Sequence, residues 1–74
     1  MANQQMVVRD LMKRDWKFAS RFEGRDDTGD MEVCEVLTKK PTKYTTHMVE
    51  VDGKGRCNGM GYEAFIETGF GEEA

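Results

Sequence analysis

The stretch WKFASRFEG, residues 16–24, constrains this chain more than any other feature. Trp16, Phe18, Ser20 and Phe22 alternate with Lys17, Ala19, Arg21 and Glu23. Side chains of a strand project to opposite faces in turn, so the pattern predicts a half-buried strand. Three aromatics on one side imply that this side lines a core. Any helix in the chain is then expected to pack on the Trp16/Phe18/Phe22 face.

The segment before it has a different period. Met6, Val7, Val8, Leu11 and Met12 fall on one side of a helical wheel, and Gln5, Arg9, Asp10, Lys13 and Arg14 on the other. Asn3 is placed to cap the helix, and Lys13 and Arg14 suit the negative end of its dipole. A helix is therefore expected over residues 3–14. After the aromatic strand, GRDDTGD supplies turn residues, and MEVCEVLT reads as a second strand. Val33 and Leu37 lie opposite Cys34 and Val36, so both faces are partly apolar, which suits a central strand. KKPTK interrupts the apolar pattern with a proline that cannot donate to a ladder, and is expected to be a hairpin loop with exposed lysines. YTTHMVEV resumes strand chemistry from Tyr44 to Val51. DGKG is a further turn, and RCNGM either returns as a fourth strand or stays irregular. Tyr62, Phe65 and Ile66 at i, i+3 and i+4, with Gly69 as a stop, predict a short helix over residues 60–68. The tail from residue 70 to 74 is expected to fray.

The fold class this implies is α+β in two layers. It has an N-terminal helix, an antiparallel sheet of three to four strands and a short C-terminal helix. Seventy-four residues make a single domain. So short a chain buries only about 60% of its unfolded surface, which makes a stabilising homodimer a natural expectation.

The net charge of −3 is too small for a strongly acidic mimic of DNA and has the wrong sign for a general DNA coat. Charges alternate in blocks. Residues 1–25 hold six basic and three acidic side chains, and residues 26–38 hold five acidic and none basic. Residues 39–56 return to five basic against two acidic, so a positive surface can lie beside a negative one. There is no apolar run of membrane-spanning length and no signal-peptide pattern at the start. The expected location is cytoplasmic, with Cys34 and Cys57 as reduced thiols.

No motif points to catalysis. The single histidine, His47, lies within a strand pattern, and no nucleophile elbow, P-loop, dinucleotide-binding or zinc-protease motif is present. The chain is read as not an enzyme and as needing no cofactor. Cys34, His47 and Cys57 are thirteen and ten residues apart, without the close cysteine pair of a zinc knuckle, so no metal site is expected.

Two binding readings follow. The order helix, three strands, helix resembles that of double-stranded-RNA-binding domains, in topology alone. Where such domains carry a lysine-rich start to the last helix, this chain reads NGMGYEAFIE, with Glu63 and Glu67. A nucleic-acid reading would instead use Lys39, Lys40 and Lys43 on phosphates and Tyr44 as a stacking platform. The preferred reading is a small protein-binding module that works by stoichiometric blockade of a larger host protein or complex. It rests on six adaptable methionines, on open sheet edges and on the segregated charges. Its expected contacts are the acidic loop with Arg25, Asp26, Asp27 and Asp30, the basic loop, and a strand edge. In size and composition such a chain resembles accessory proteins of bacteriophages and other mobile elements, many of which inhibit a host enzyme, transcription component or defence complex.

Overall fold

A computed structural model of the chain describes residues 3–72. Five elements follow in the order α1 (Gln4–Lys13), β1 (Lys17–Arg25), β2 (Met31–Thr42), β3 (Thr45–Val51) and α2 (Tyr62–Glu67). The strands pair antiparallel in the order β1-β2-β3, which makes β2 central, as its two apolar faces require. Among the described residues the sheet stops at three strands. The segment after β3 contributes only isolated bridges, Val51 with Cys57 and Cys57 with Met60.

α1 begins where the sequence places its cap. The Asn3 side-chain oxygen accepts the Met6 N–H at 3.0 Å, and Val7, Val8 and Leu11 are buried. Gln4 fastens the first turn to the sheet by donating from Nε2 to the Val33 and Val51 carbonyls. The chain leaves the helix through Asp15 at φ 75°, a left-handed conformation that aspartate tolerates. That reversal brings the Trp16 N–H onto the Leu11 carbonyl at 3.0 Å and its indole into the core. Val7, Val8, Leu11, Trp16, Leu37, Val49, Val51, Cys57 and Phe65 form that core on one side of the sheet. Tyr62, Ile66 and Phe70 pack against it, so the helical spacing of residues 62, 65 and 66 is realised.

The aromatic stretch departs from expectation. Trp16 is 2% exposed, but Phe18 is 47% and Phe22 42% exposed, and the three do not share one inner wall. Phe18 keeps the side of Trp16 and is only half covered there, whereas Phe22 leaves that side because of a β-bulge. Phe18 pairs with Leu37 and Ser20 with Val36, which leaves Ala19 as the extra residue. One extra residue shifts the pleat by one, and every later side chain changes face. Phe18 stands opposite Leu37 of the core, whereas Phe22 stands opposite Cys34 on the face away from the helices.

The basic segment also differs. Lys39, Lys40, Pro41 and Thr42 belong to β2, and the hairpin turn is Lys43–Tyr44 alone. The ladder tolerates Pro41 because its register slips between Lys39 and Thr42, where no donor is needed from the proline. Lys39 is not an exposed loop residue. It pairs across the ladder with His47, its side chain is only 12% exposed, and its Nζ lies 3.8 Å from a Glu72 carboxylate oxygen.

The described end of the chain is packed rather than frayed; residues 73–74 lie outside the described residues. The Phe70 ring sits 6.1 Å from Trp16, 5.9 Å from Phe65 and 4.6 Å from His47, between centroids. Gly71, buried at φ 81°, closes over the indole so tightly that a Cβ there would meet Trp16 Cζ2 at 2.6 Å. Gly71→Ala is expected to destabilise the fold by about 2–5 kcal/mol, combining overpacking with left-handed strain. Gly59→Ala, where φ is 85° but no atom lies within 4 Å, should cost only about 1–2 kcal/mol. Denaturant midpoints of the two variants measure the difference.

Candidate functional site

Both helices cover one face of the sheet, and the described residues leave the other face without a covering layer. The ladder pairs assign this open face. It carries Ser20, Phe22 and Gly24 from β1, Glu32, Cys34, Val36 and Thr38 from β2, and Met48 and Glu50 from β3. Phe22, Val36 and Met48 run diagonally across three strands. Phe22 and Met48 are 42% and 59% exposed, while Val36 and Cys34 are buried between strands on either side. The Phe22 ring leans over Gly24, where a Cβ would lie 3.7 Å from both Phe22 Cε2 and Cys34 Sγ. The centre of the open face is thus an apolar band.

One end of the face is acidic and is held by two loops of the same construction. In Asp26–Asp30, the Asp26 N–H donates to the Asp30 carbonyl and the Gly29 N–H to the Asp26 carbonyl. Asp26 Oδ1 accepts the Thr28 and Asp30 N–H groups at 3.0 and 2.9 Å. In residues 52–56 the Asp52 N–H donates to the Arg56 carbonyl, the Gly55 N–H to the Asp52 carbonyl, and Asp52 Oδ1 accepts the Lys54 and Arg56 N–H groups, each at 2.9 Å. Gly29 and Gly55, at φ 88° and 83°, supply the left-handed residue that this three-residue hairpin loop requires. Arg56 joins the loops, with Nε 3.0 Å from Asp52 Oδ2 and Nη2 3.3 Å from Asp27 Oδ2.

Hydrogen bonding sets the titration of these loops. The Thr28 hydroxyl and the loop amides hold Asp26 below the usual carboxylate range. Burial alone would raise Asp52, but the Arg56 and Lys54 amides and the Arg56 guanidinium outweigh it and lower its pKa. A hollow beside the apolar band gathers Asp26, Asp27, Glu32, Glu50 and Asp52 against Arg25 and Arg56, leaving this end negative. The opposite end is basic: Lys17, Thr38 and Lys40 line a second hollow with Asp15 and with Lys39, whose own ammonium is turned to Glu72 on the helix side. Beyond it the Lys43 ammonium lies 5.1 Å from the centroid of the Tyr44 ring, and Tyr44 is 87% exposed.

The residues singled out from sequence therefore form two groups at opposite ends of β2, on a molecule 37 Å long. Arg25, Asp26, Asp27 and Asp30 occupy one end. There Arg25 Nη1 donates to the Gly29 carbonyl, Asp26 braces its own loop, and Asp27 pairs with Arg56. The Asp30 carboxylate accepts from Thr28 at 3.3 Å. Lys40, Lys43 and Tyr44 project from the other end, and Lys39 is turned to Glu72. Sequence reasoning missed Phe22, Val36 and Met48 as one surface. Its signal was the doubly apolar MEVCEVLT, but the face shared with β1 depended on the bulge.

The thiols are held in their protonated form. Burial and the neighbouring Glu32 push Cys34 up to about 12, and burial with Asp52 pushes Cys57 to about 11. A protonated thiol is a poor nucleophile and a poor ligand. Cys57 belongs to the helix-side core and Cys34 to the open face, so the sheet separates them. Among the described residues no group of three or more His, Cys, Asp or Glu side chains is arranged to hold a metal ion. Nor is any described helix long and apolar enough to cross a membrane. Comparison with known proteins gives no family match, and no curated protein or solved structure is detectably similar.

Asp52→Ala is expected to cost about 1–3 kcal/mol, since it leaves two loop amides and a guanidinium without their acceptor. Asp10 is also lowered, first by the Tyr62 hydroxyl and then by Arg14. Because Asp10, Asp26 and Asp52 all titrate below 3.8 in the fold, their contribution is complete above that pH. It is lost as pH falls from 3.8 through the lower folded values. Thermal melts across this range should show the decline, and Asp52→Asn, which takes up no proton, should flatten it.

Proposed function

We propose that the chain is a non-catalytic protein-binding module that docks on a partner through the open face of its sheet. The observation that carries this reading is the layout of that face, with an apolar band between an acidic end and a basic end. Protein interfaces place apolar, adaptable side chains at their centre and polar ones at the rim, and Phe22 and Met48 meet that description. Opposite charges at the two ends fix the direction in which a partner lies and speed its encounter. The partner that fits is a larger protein with an apolar patch flanked by basic groups on one side and acidic groups on the other. Such a module acts by occupancy, consistent with stoichiometric inhibition of a host component.

A second reading is supported by the basic end alone. Lys17, Lys40 and Lys43 with the exposed Tyr44 would hold a nucleic-acid backbone and one stacked base. Glu32 and Glu50 on the same face oppose its extension along the sheet.

Affinity capture from a cell extract, followed by binding of the purified partner, separates the two. Met48→Glu should retain the wild-type melting temperature and weaken a one-to-one complex at least tenfold, about 1.4 kcal/mol or more. Equal affinity of the variant for the captured partner would remove the open face as the docking surface. For the second reading, a salt-sensitive shift of single- or double-stranded probes should vanish in Lys40→Glu/Lys43→Glu, whereas no shift by the wild type at low salt ends it.

A further inference from the structure

The two outer strands are not equally finished. On β3 the Asn58 N–H donates to the Glu50 carbonyl, the Asn58 side-chain oxygen accepts the Glu50 N–H, and Cys57 bridges Val51. β1 has no such cover among the described residues, and every β1 residue except Gly24 is exposed. From Ser20 to Arg25 it pairs with β2 without irregularity, so its outer edge presents a regular row of backbone donors and acceptors.

We infer that β1 pairs antiparallel with β1 of a second copy, about a two-fold axis passing through Phe22, to make a homodimer with one continuous six-stranded sheet. The choice of register comes from charge. With the axis at Phe22, Arg21 of each copy stands opposite Glu23 of the other, on the helix-side face, giving two complementary pairs. Moving the axis one residue places Arg21 opposite Arg21, or Glu23 opposite Glu23 together with Arg21 opposite Arg25. Like charges directly across a ladder are destabilising and opposite charges favourable, so one register is selected against its neighbours. On the open face the same axis sets Phe22 against Phe22, with Ser20 opposite Gly24 on either side. These two small residues leave room for the aromatic pair. The bulge at Ala19 and the turn at Asp26 bound the ladder to about five residues per copy, an ordinary strand length. Arg21 is available for this exchange, since its side chain is 64% exposed and its distance to Glu35 is 4.0 Å. An isologous contact of this kind closes on itself and does not propagate.

This dimer does not depend on the docking role proposed for the open face, although it would join two copies of that face side by side. Sedimentation equilibrium from micromolar to millimolar concentration should show the wild type reaching twice the 8.5 kDa chain mass. Arg21→Glu and Glu23→Arg should each stay at the single-chain mass with unchanged circular dichroism, because each turns both pairs into repulsions. Mixed together, they should restore the doubled mass, because every pair across the mixed dimer is again opposite in charge. A wild type that remains at the single-chain mass at millimolar concentration overturns the proposal, as do single variants that still dimerise. Failure of the mixture to reassociate overturns this register. Hydrogen exchange on the unmodified protein gives an independent reading: amides within Ser20–Gly24 should gain protection with concentration while those of β3 do not.

Discussion

The single extra residue in β1 governs much of this structure. A strand that kept strict alternation from Trp16 to Phe22 would send all its aromatics to one side. The bulge at Ala19 divides them, with Trp16 going beneath the helices and Phe22 to the opposite face. On the helix side only Trp16 of this segment is fully enclosed, among Leu11, Phe65 and Phe70, while Phe18 stays half exposed on the same side. The open face then receives a large apolar group that would otherwise have been internal. A parity change in the pleat thus converts a core residue type into a surface feature.

The rest of the open face is organised by loops that hold their own geometry. Asp26 and Asp52 each accept backbone amides two and four residues on, and each loop is closed by a glycine with positive φ. Asp26, a recognition candidate in the sequence, is consequently structural, as is Asp52, and the negative potential near them also comes from Glu32, Glu50 and Asp27. The basic end is built differently. There β2 and β3 continue past the register slip at Pro41, and the turn projects Lys43 and Tyr44. Separation of the ends follows from the meander, because consecutive turns of an antiparallel sheet lie at opposite ends of the central strand.

Much of the architecture was legible in the residues. The helical period around Val7, Val8 and Leu11, the Asn3 cap, the central character of MEVCEVLT and the spacing of Tyr62, Phe65 and Ile66 all express local rules. Those rules concern neighbours along the chain, and the elements they specify are formed. The errors share one cause. Ala19 and Pro41 are places where a strand gains a residue or slips against its partner; the first leaves no local mark, and the proline marks an interruption without showing that the strand continues through it. The end of the chain was illegible for a related reason: GFG has the composition of a loose tail, but Phe70 and Gly71 fit a recess around Trp16 that exists only after folding.

By itself, then, the sequence determined the kinds of element, their order and the antiparallel two-layer class, because period, capping and turn chemistry act over a few residues. Tertiary structure decided which side chains share a face, which carboxylates brace a loop and which strand edge stays open. Those outcomes depend on register, and register is set by contacts between residues distant in the chain.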